Sequence, residues 1–153
     1  MPDKLGVAVH GAGWVSGEHI KAFARHPHCE VRVVSSRRES SARARLQEAG
    51  VDAEVDTDYG RVLQRPDVDV VAVCTPSDLH PAETIAAAAA GKHVLIEKPV
   101  ALNVEDLRRM QAAVQRAGVK TVVSFVLRWN PLLETVKALI DDGALGDLFL
   151  AET

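Results

Sequence analysis

The chain has 153 residues, 47% of them hydrophobic and 25% charged, with a formal net charge of −3. These values describe one globular domain. They exclude disordered and collagen-like sequence, and the mildly acidic balance excludes the electrostatic footprint of a nucleic-acid binder. A chain of this length buries roughly two-thirds of its unfolded surface, enough for a core without staples. The two cysteines, Cys29 and Cys74, are too few for a disulfide framework and fit a reducing compartment. No apolar segment approaches the roughly 20 residues a membrane helix needs. Met1 to Val9 has no basic stretch, long apolar run and small-residue cleavage site in succession, so a cytoplasmic location is expected.

Short apolar runs alternate with turns and amphipathic stretches. Leu5 to Val9 reads as a first strand, followed by the turn Gly11-Ala12-Gly13 and a helix to about Arg25 whose apolar positions are Val15, Ile20 and Phe23. Val31 to Val34 is a second strand, and Glu39 to Ala49 a polar helix. Val68 to Cys74 is a β-branched run dense enough for a strand covered on both faces. Thr84 to Ala90 is helical and stops at Gly91, and Val94 to Ile96 is the next strand. Asn103 caps a helix with Glu105 and Asp106 in its first turn and Val104, Leu107, Met110, Val114 and Ala117 on its apolar face. Thr121 to Phe125 is a strand. Asn130-Pro131 then opens a helix lined by Leu132, Leu133, Val136, Leu139 and Ile140, ending near Gly143, and Leu148 to Glu152 begins one more strand. Strands and helices alternating at this spacing predict an α/β fold with a doubly wound parallel sheet.

The segment Gly11-Ala12-Gly13-Trp14-Val15-Ser16-Gly17 follows the first strand and opens the first helix. In that context one glycine permits a tight turn, the next lets the backbone approach a pyrophosphate, and helical N–H groups receive the phosphate oxygens. Ser16 stands at the third glycine position and is small enough for close packing. The cofactor contacts expected here are Gly11, Gly13, Trp14 and Val15. At the end of the second strand an acid would favour NAD. The run is instead Ser36-Arg37-Arg38, with Arg43 and Arg45 beyond it. A hydroxyl beside a guanidinium suits a 2′-phosphate, so Ser36 and Arg37 favour NADP over NAD. His26-x-His28-Cys29 has no second cluster at ligand spacing and reads as a surface turn, so no metal is expected.

Three further segments carry a resemblance. Thr75-Pro76-Ser77-Asp78-Leu79-His80, then Ala90 through Glu97-Lys98-Pro99, then Arg128-Trp129-Asn130-Pro131 follow the glycine turn in an order similar to the glucose–fructose oxidoreductase/inositol dehydrogenase/rhizopine-catabolism (Gfo/Idh/MocA) family. The resemblance covers Gly6 to Glu152. It implies a Rossmann-like NAD(P)-binding domain of an oxidoreductase acting on a hydroxyl or carbonyl of a sugar, polyol or related molecule. It further implies that Thr75 and Pro76 end the fourth strand against the nicotinamide half of the cofactor. Glu97, Lys98 and Pro99 would end the fifth strand, with Lys98 the catalytic residue that hydrogen-bonds the reacting oxygen. His80, Glu97 and Arg128 join the expected cofactor contacts. His10 and Ser36 depart from the family, in which a small or apolar residue and an acid are usual.

The family has a second domain that binds substrate and forms a homo-oligomer. The expected division is therefore a nucleotide domain over 1–146, with 147–153 the first strand of that second domain. The isolated chain is expected to bind nucleotide with little turnover. Two alternatives are a non-catalytic NADP-binding sensor and an S-adenosylmethionine-binding domain. The latter is disfavoured by Lys98-Pro99 and by the absence of an acid at Ser36.

Overall fold

The structure, a computed structural model, describes residues 4–150. In chain order its elements are β1 (Leu5–His10), α1 (Trp14–Arg25), β2 (Cys29–Ser35), α2 (Glu39–Ala49), β3 (Glu54–Asp56), α3 (Tyr59–Gln64) and β4 (Val70–Val73). There follow α4 (His80–Ala89), β5 (His93–Ile96), α5 (Val104–Ala117), β6 (Thr121–Val123), a 3₁₀ turn (Val126–Trp129) and α6 (Pro131–Asp141). The six strands form one sheet in the order β3-β2-β1-β4-β5-β6, and every pairing is parallel. The strand order reverses between β1 and β4, which opens a crevice outside their carboxyl ends.

Period-two alternation along the buried strands feeds two cores. Val7, Val9 and Ala72 face α1 and α2 with Ile20, Ala42 and Leu46. Ala8, Val71, Val73, Val94 and Ile96 face the other way, with Val62, Ala87 and Met110. A sheet covered on both faces is what the unbroken apolar run of β4 requires.

Several boundaries differ from the sequence reading. β3 and α3 fall in a stretch without an apolar run; β3 exists because it pairs with β2, and α3 because the Asp58 side chain accepts a hydrogen bond from Arg61 N–H. α4 begins at His80, ahead of Thr84, because Pro81 suits a first helical turn. β6 stops at Val123: its partner β5 has ended, and Phe125 N–H turns back to the Val123 carbonyl at 2.8 Å. Of the predicted α5 apolar face only Met110 is fully buried, since the helix overhangs a three-residue edge strand. The apolar positions of α6, Leu132 through Ile140, are all exposed. Residues 148–150 carry no strand, and the rest of the expected closing strand to Glu152 lies outside the described residues.

Candidate functional site

A cleft of about 380 Å³ lies at the carboxyl ends of β1, β2 and β4. It brings together six of the residues singled out in the sequence: Gly11, Gly13, Ser36, Arg37, Thr75 and Pro76. Its floor is the glycine turn. Gly11 has a φ of +100°, and a Cβ there would meet the carbonyl carbon and oxygen of Cys74 at 2.6 Å, so only glycine fits. At Gly13 the nearest atom to such a Cβ is the Cys74 oxygen, 4.0 Å away, which leaves room for a ligand to approach the backbone. Ser16 is buried and donates to the Gly13 carbonyl at 2.6 Å, so it holds the turn from behind.

Three helices start at this cleft. The N-cap residues Gly13 of α1, Arg38 of α2 and Leu79 of α4 all line it. None makes a side-chain capping bond. By contrast, α3, α5 and α6, which begin elsewhere, are capped by the side chains of Asp58, Asn103 and Asn130. Uncapped first-turn N–H groups, carrying the positive end of the helix dipole, are an anion site. The glycine floor adds close backbone approach, so the residues present fit a pyrophosphate.

At the β2 end, Arg37 and Arg38 are exposed, and among the described residues neither forms an ion pair. Arg43 and Arg45 are engaged on their own helix by Glu39 and Glu48, at 2.5 and 2.8 Å. The cationic side chains left facing the cleft are therefore Arg37 and Arg38. Trp14 is 78% exposed and Val15 packs against the α1/α2 core. Neither side chain lines the cleft; what these two positions offer a ligand is backbone N–H. The Cys74 thiol, pushed up to about 12 by burial and by the Glu97 charge, stays protonated.

The remaining predicted residues do not line the cleft. His80 is 1% exposed, with its ring nitrogens 2.9 Å from the carbonyl oxygens of Thr75 and Pro99, so it ties the end of β4 to the loop after β5. Glu97 is buried as well. Its carboxylate meets His19 Nε2 at 2.7 Å, accepts from Lys98 N–H at 3.1 Å and bonds the Ser124 side chain. Burial pushes its pKa up, but these bonds outweigh it and leave the carboxyl below its ordinary range. Lys98, joined to Pro99 by a cis peptide bond, is exposed on the same sheet edge. Arg128 is exposed in the 3₁₀ turn and lines a separate groove with α6. His19 and Glu83 also hold residues of the site, through bonds to Glu97, His10 and Thr75. Their partners are distant in the chain, and no local pattern marks them.

Residues 5–125 match the family described as "Oxidoreductase family, NAD-binding Rossmann fold". The chain belongs to the Gfo/Idh/MocA oxidoreductase family. Within that family, the inositol 2-dehydrogenase of Klebsiella pneumoniae is 38% identical over 148 residues, 95% of this chain and 43% of the relative. The scyllo-inositol 2-dehydrogenase (NADP(+)) IolW of Bacillus subtilis is 37% identical over 97 residues, 63% of this chain and 27% of the relative. The crystal structure of the WlbA dehydrogenase from Bordetella pertussis in complex with NADH and UDP-GlcNAcA is similar with a TM-score of 0.87 and 33% identity, covering 97% of this chain and 43% of that one. This Gfo/Idh/MocA chain is thus an NAD(P)-binding Rossmann domain homologous to sugar and polyol dehydrogenases, and it spans less than half the length of these relatives. The sensor alternative finds no support among them. Among the described residues no helix is long and apolar enough to cross a membrane.

Proposed function

We propose that this chain is the nucleotide-binding part of an oxidoreductase that exchanges hydride between NADP(H) and a hydroxyl or carbonyl of a sugar, polyol or related small molecule. The observation that carries the reading is the convergence of three uncapped helix N-termini on a glycine-floored cleft. Gly11, Gly13 and the first turn of α1 hold the pyrophosphate through backbone N–H groups. Ser36 and Arg37 take the 2′-phosphate, the hydroxyl donating and the guanidinium forking onto the oxygens. Thr75 and Pro76 wall the cleft at the end of β4. The nicotinamide, when bound, supplies the hydride chemistry.

Lys98 holds a hydrogen bond to the reacting oxygen of the substrate and passes or receives its proton. Glu97 and His80 fix the loop that carries it, through the bonds described above. In this reading the nucleotide domain ends near residue 146, and residues 147–153 open a second domain that selects the substrate and forms a homo-oligomer. The chain alone then binds nucleotide with little turnover, and its expected location is the cytoplasm.

The test is a side-by-side titration with NADPH and NADH, followed by thermal midpoint or heat. Ligand at a hundred times its dissociation constant stabilises the fold by about 2.7 kcal/mol. Tighter NADPH binding supports the whole reading. Tighter NADH binding retains the class and removes the 2′-phosphate assignment, and no binding by either overturns the nucleotide site.

A further inference from the structure

The wall of the cleft contains an acid. Glu83, in the first turn of α4, lines the same cleft as Gly11, Gly13 and Arg37, and its side chain is only 13% exposed. Its carboxylate is held from two sides: Oε1 lies 3.2 Å from Nε2 of His10, and Oε2 accepts a hydrogen bond from the Thr75 hydroxyl. His10, 12% exposed, closes β1 directly before the glycine turn. Its Nδ1 is 2.7 Å from Ser35 Oγ, and its ring stacks on Tyr59 with centroids 4.0 Å apart. The Tyr59 hydroxyl in turn donates to the Glu83 carbonyl at 3.0 Å. The α4 dipole accounts for an acid in that turn, but not for the histidine and threonine that converge on it.

A carboxylate in a cleft suited to phosphate opposes its ligand, and partial burial strengthens the opposition. We propose that His10 and Glu83 form a charge-compensating pair that sets the affinity of the nucleotide site. With His10 protonated, the Glu83 charge is neutralised and the cleft accepts a pyrophosphate; with His10 neutral, the carboxylate repels it. The Ser35 hydroxyl donates to Nδ1 or accepts from it, so both states of the ring are satisfied. The pair thus makes two non-local residues binding determinants, and Glu83 holds the Thr75 hydroxyl at the cleft wall.

Other groups face the pair. Tyr59 from α3 has its phenol pushed well above its usual range by burial and by the Glu83 charge. Cys74 at the end of β4 is pushed up to about 12 by burial. Arg37 and Arg38 line the far turn, and His80, three residues earlier on α4, faces only carbonyl oxygens. The phenol and the thiol therefore stay neutral between about pH 6 and pH 8.5, and neither adds a charge to the pair there.

This inference rests on the nucleotide reading, and one experiment separates their failures. Binding of NAD⁺ and NADP⁺ to the chain is measured by calorimetry at about pH 6 and pH 8.5 for wild type, Glu83→Gln, His10→Gln and the double variant. NAD⁺ has no group that titrates in this range; for NADP⁺ the 2′-phosphate titrates alike in every protein, so the difference between proteins is read. Wild-type affinity for NAD⁺ is expected to fall about threefold or more from the lower to the higher pH. Glu83→Gln is expected to lose that fall and bind at high pH as wild type does at low pH. His10→Gln is expected to bind weakly throughout, with Glu83→Gln rescuing it in the double variant. A wild-type slope that persists in Glu83→Gln overturns the pair, as does undiminished binding by His10→Gln at low pH. If wild type binds neither nucleotide at either pH, the nucleotide reading falls and the pair falls with it.

Discussion

Nε2 of His19 lies 2.7 Å from Oε1 of Glu97. This contact joins the helix that starts at the glycine turn to the strand end that carries Lys98, and both side chains are largely withdrawn from solvent. The two halves of the proposed site, phosphate cradle and reacting lysine, are therefore mechanically coupled through one carboxylate.

The contact has a definite pH signature. The Glu97 carboxyl titrates below its ordinary range in the folded protein: burial raises it, and the bonds from His19, Ser124 and Lys98 N–H lower it by more. A depressed folded-state value means that the stability it contributes is present above the ordinary carboxylate range and is lost as pH falls through the folded value. Replacing Glu97 by Gln is expected to cost about 1–3 kcal/mol at neutral pH. Urea unfolding of both proteins at about pH 7 and about pH 4 checks this: the gap must narrow in acid, and a gap that widens contradicts the assignment.

Gly11 and Gly91 provide a matched pair of backbone tests. Both have positive φ, +100° and +74°, but a Cβ on Gly11 meets Cys74 backbone whereas one on Gly91 meets nothing within 4 Å. Gly91→Ala is expected to cost about 1 kcal/mol for the left-handed conformation alone. Gly11→Ala adds a clash with main chain that cannot move aside, for a cost of about 3 kcal/mol, and deforms the cradle. Denaturant midpoints give the ranking, and equal costs would mean that Gly11 is not constrained by Cys74.

Arg37 and Arg43 separate a ligand contact from a surface ion pair. Arg37→Ala is expected to weaken NADPH binding about tenfold while leaving NADH binding unchanged. Arg43, held by Glu39 at 2.5 Å, is expected to change neither when replaced by Ala. Calorimetric titration of the two variants distinguishes them, and a loss for NADH equal to that for NADPH in Arg37→Ala rules out the 2′-phosphate role.

What the sequence made legible was whatever is local. The first strand, its glycine turn and α1 form one continuous signal, and six predicted cofactor residues do line one cleft. β3 and α3 escaped notice because three and six residues are too short for a periodicity; pairing and a cap make them stable. The α5 stripe marks a helix, but its burial depends on what lies beyond the sheet edge, which periodicity does not encode. The polar pairs were hidden for a related reason. His10 and Glu83 are 73 residues apart and His19 and Glu97 are 78 apart, so only the crossover topology brings them together.

The three bare helix ends also bear on practical handling. Main-chain N–H groups do not distinguish a phosphate on a nucleotide from one free in solution. Buffers of phosphate or sulfate are therefore expected to compete for the same cradle. They raise the apparent dissociation constant of any nucleotide in proportion to their own concentration and lend the unliganded chain a thermal stability that belongs to the salt. In a zwitterionic buffer that borrowed stability disappears, and the interval between free and bound melting temperatures opens to its full width.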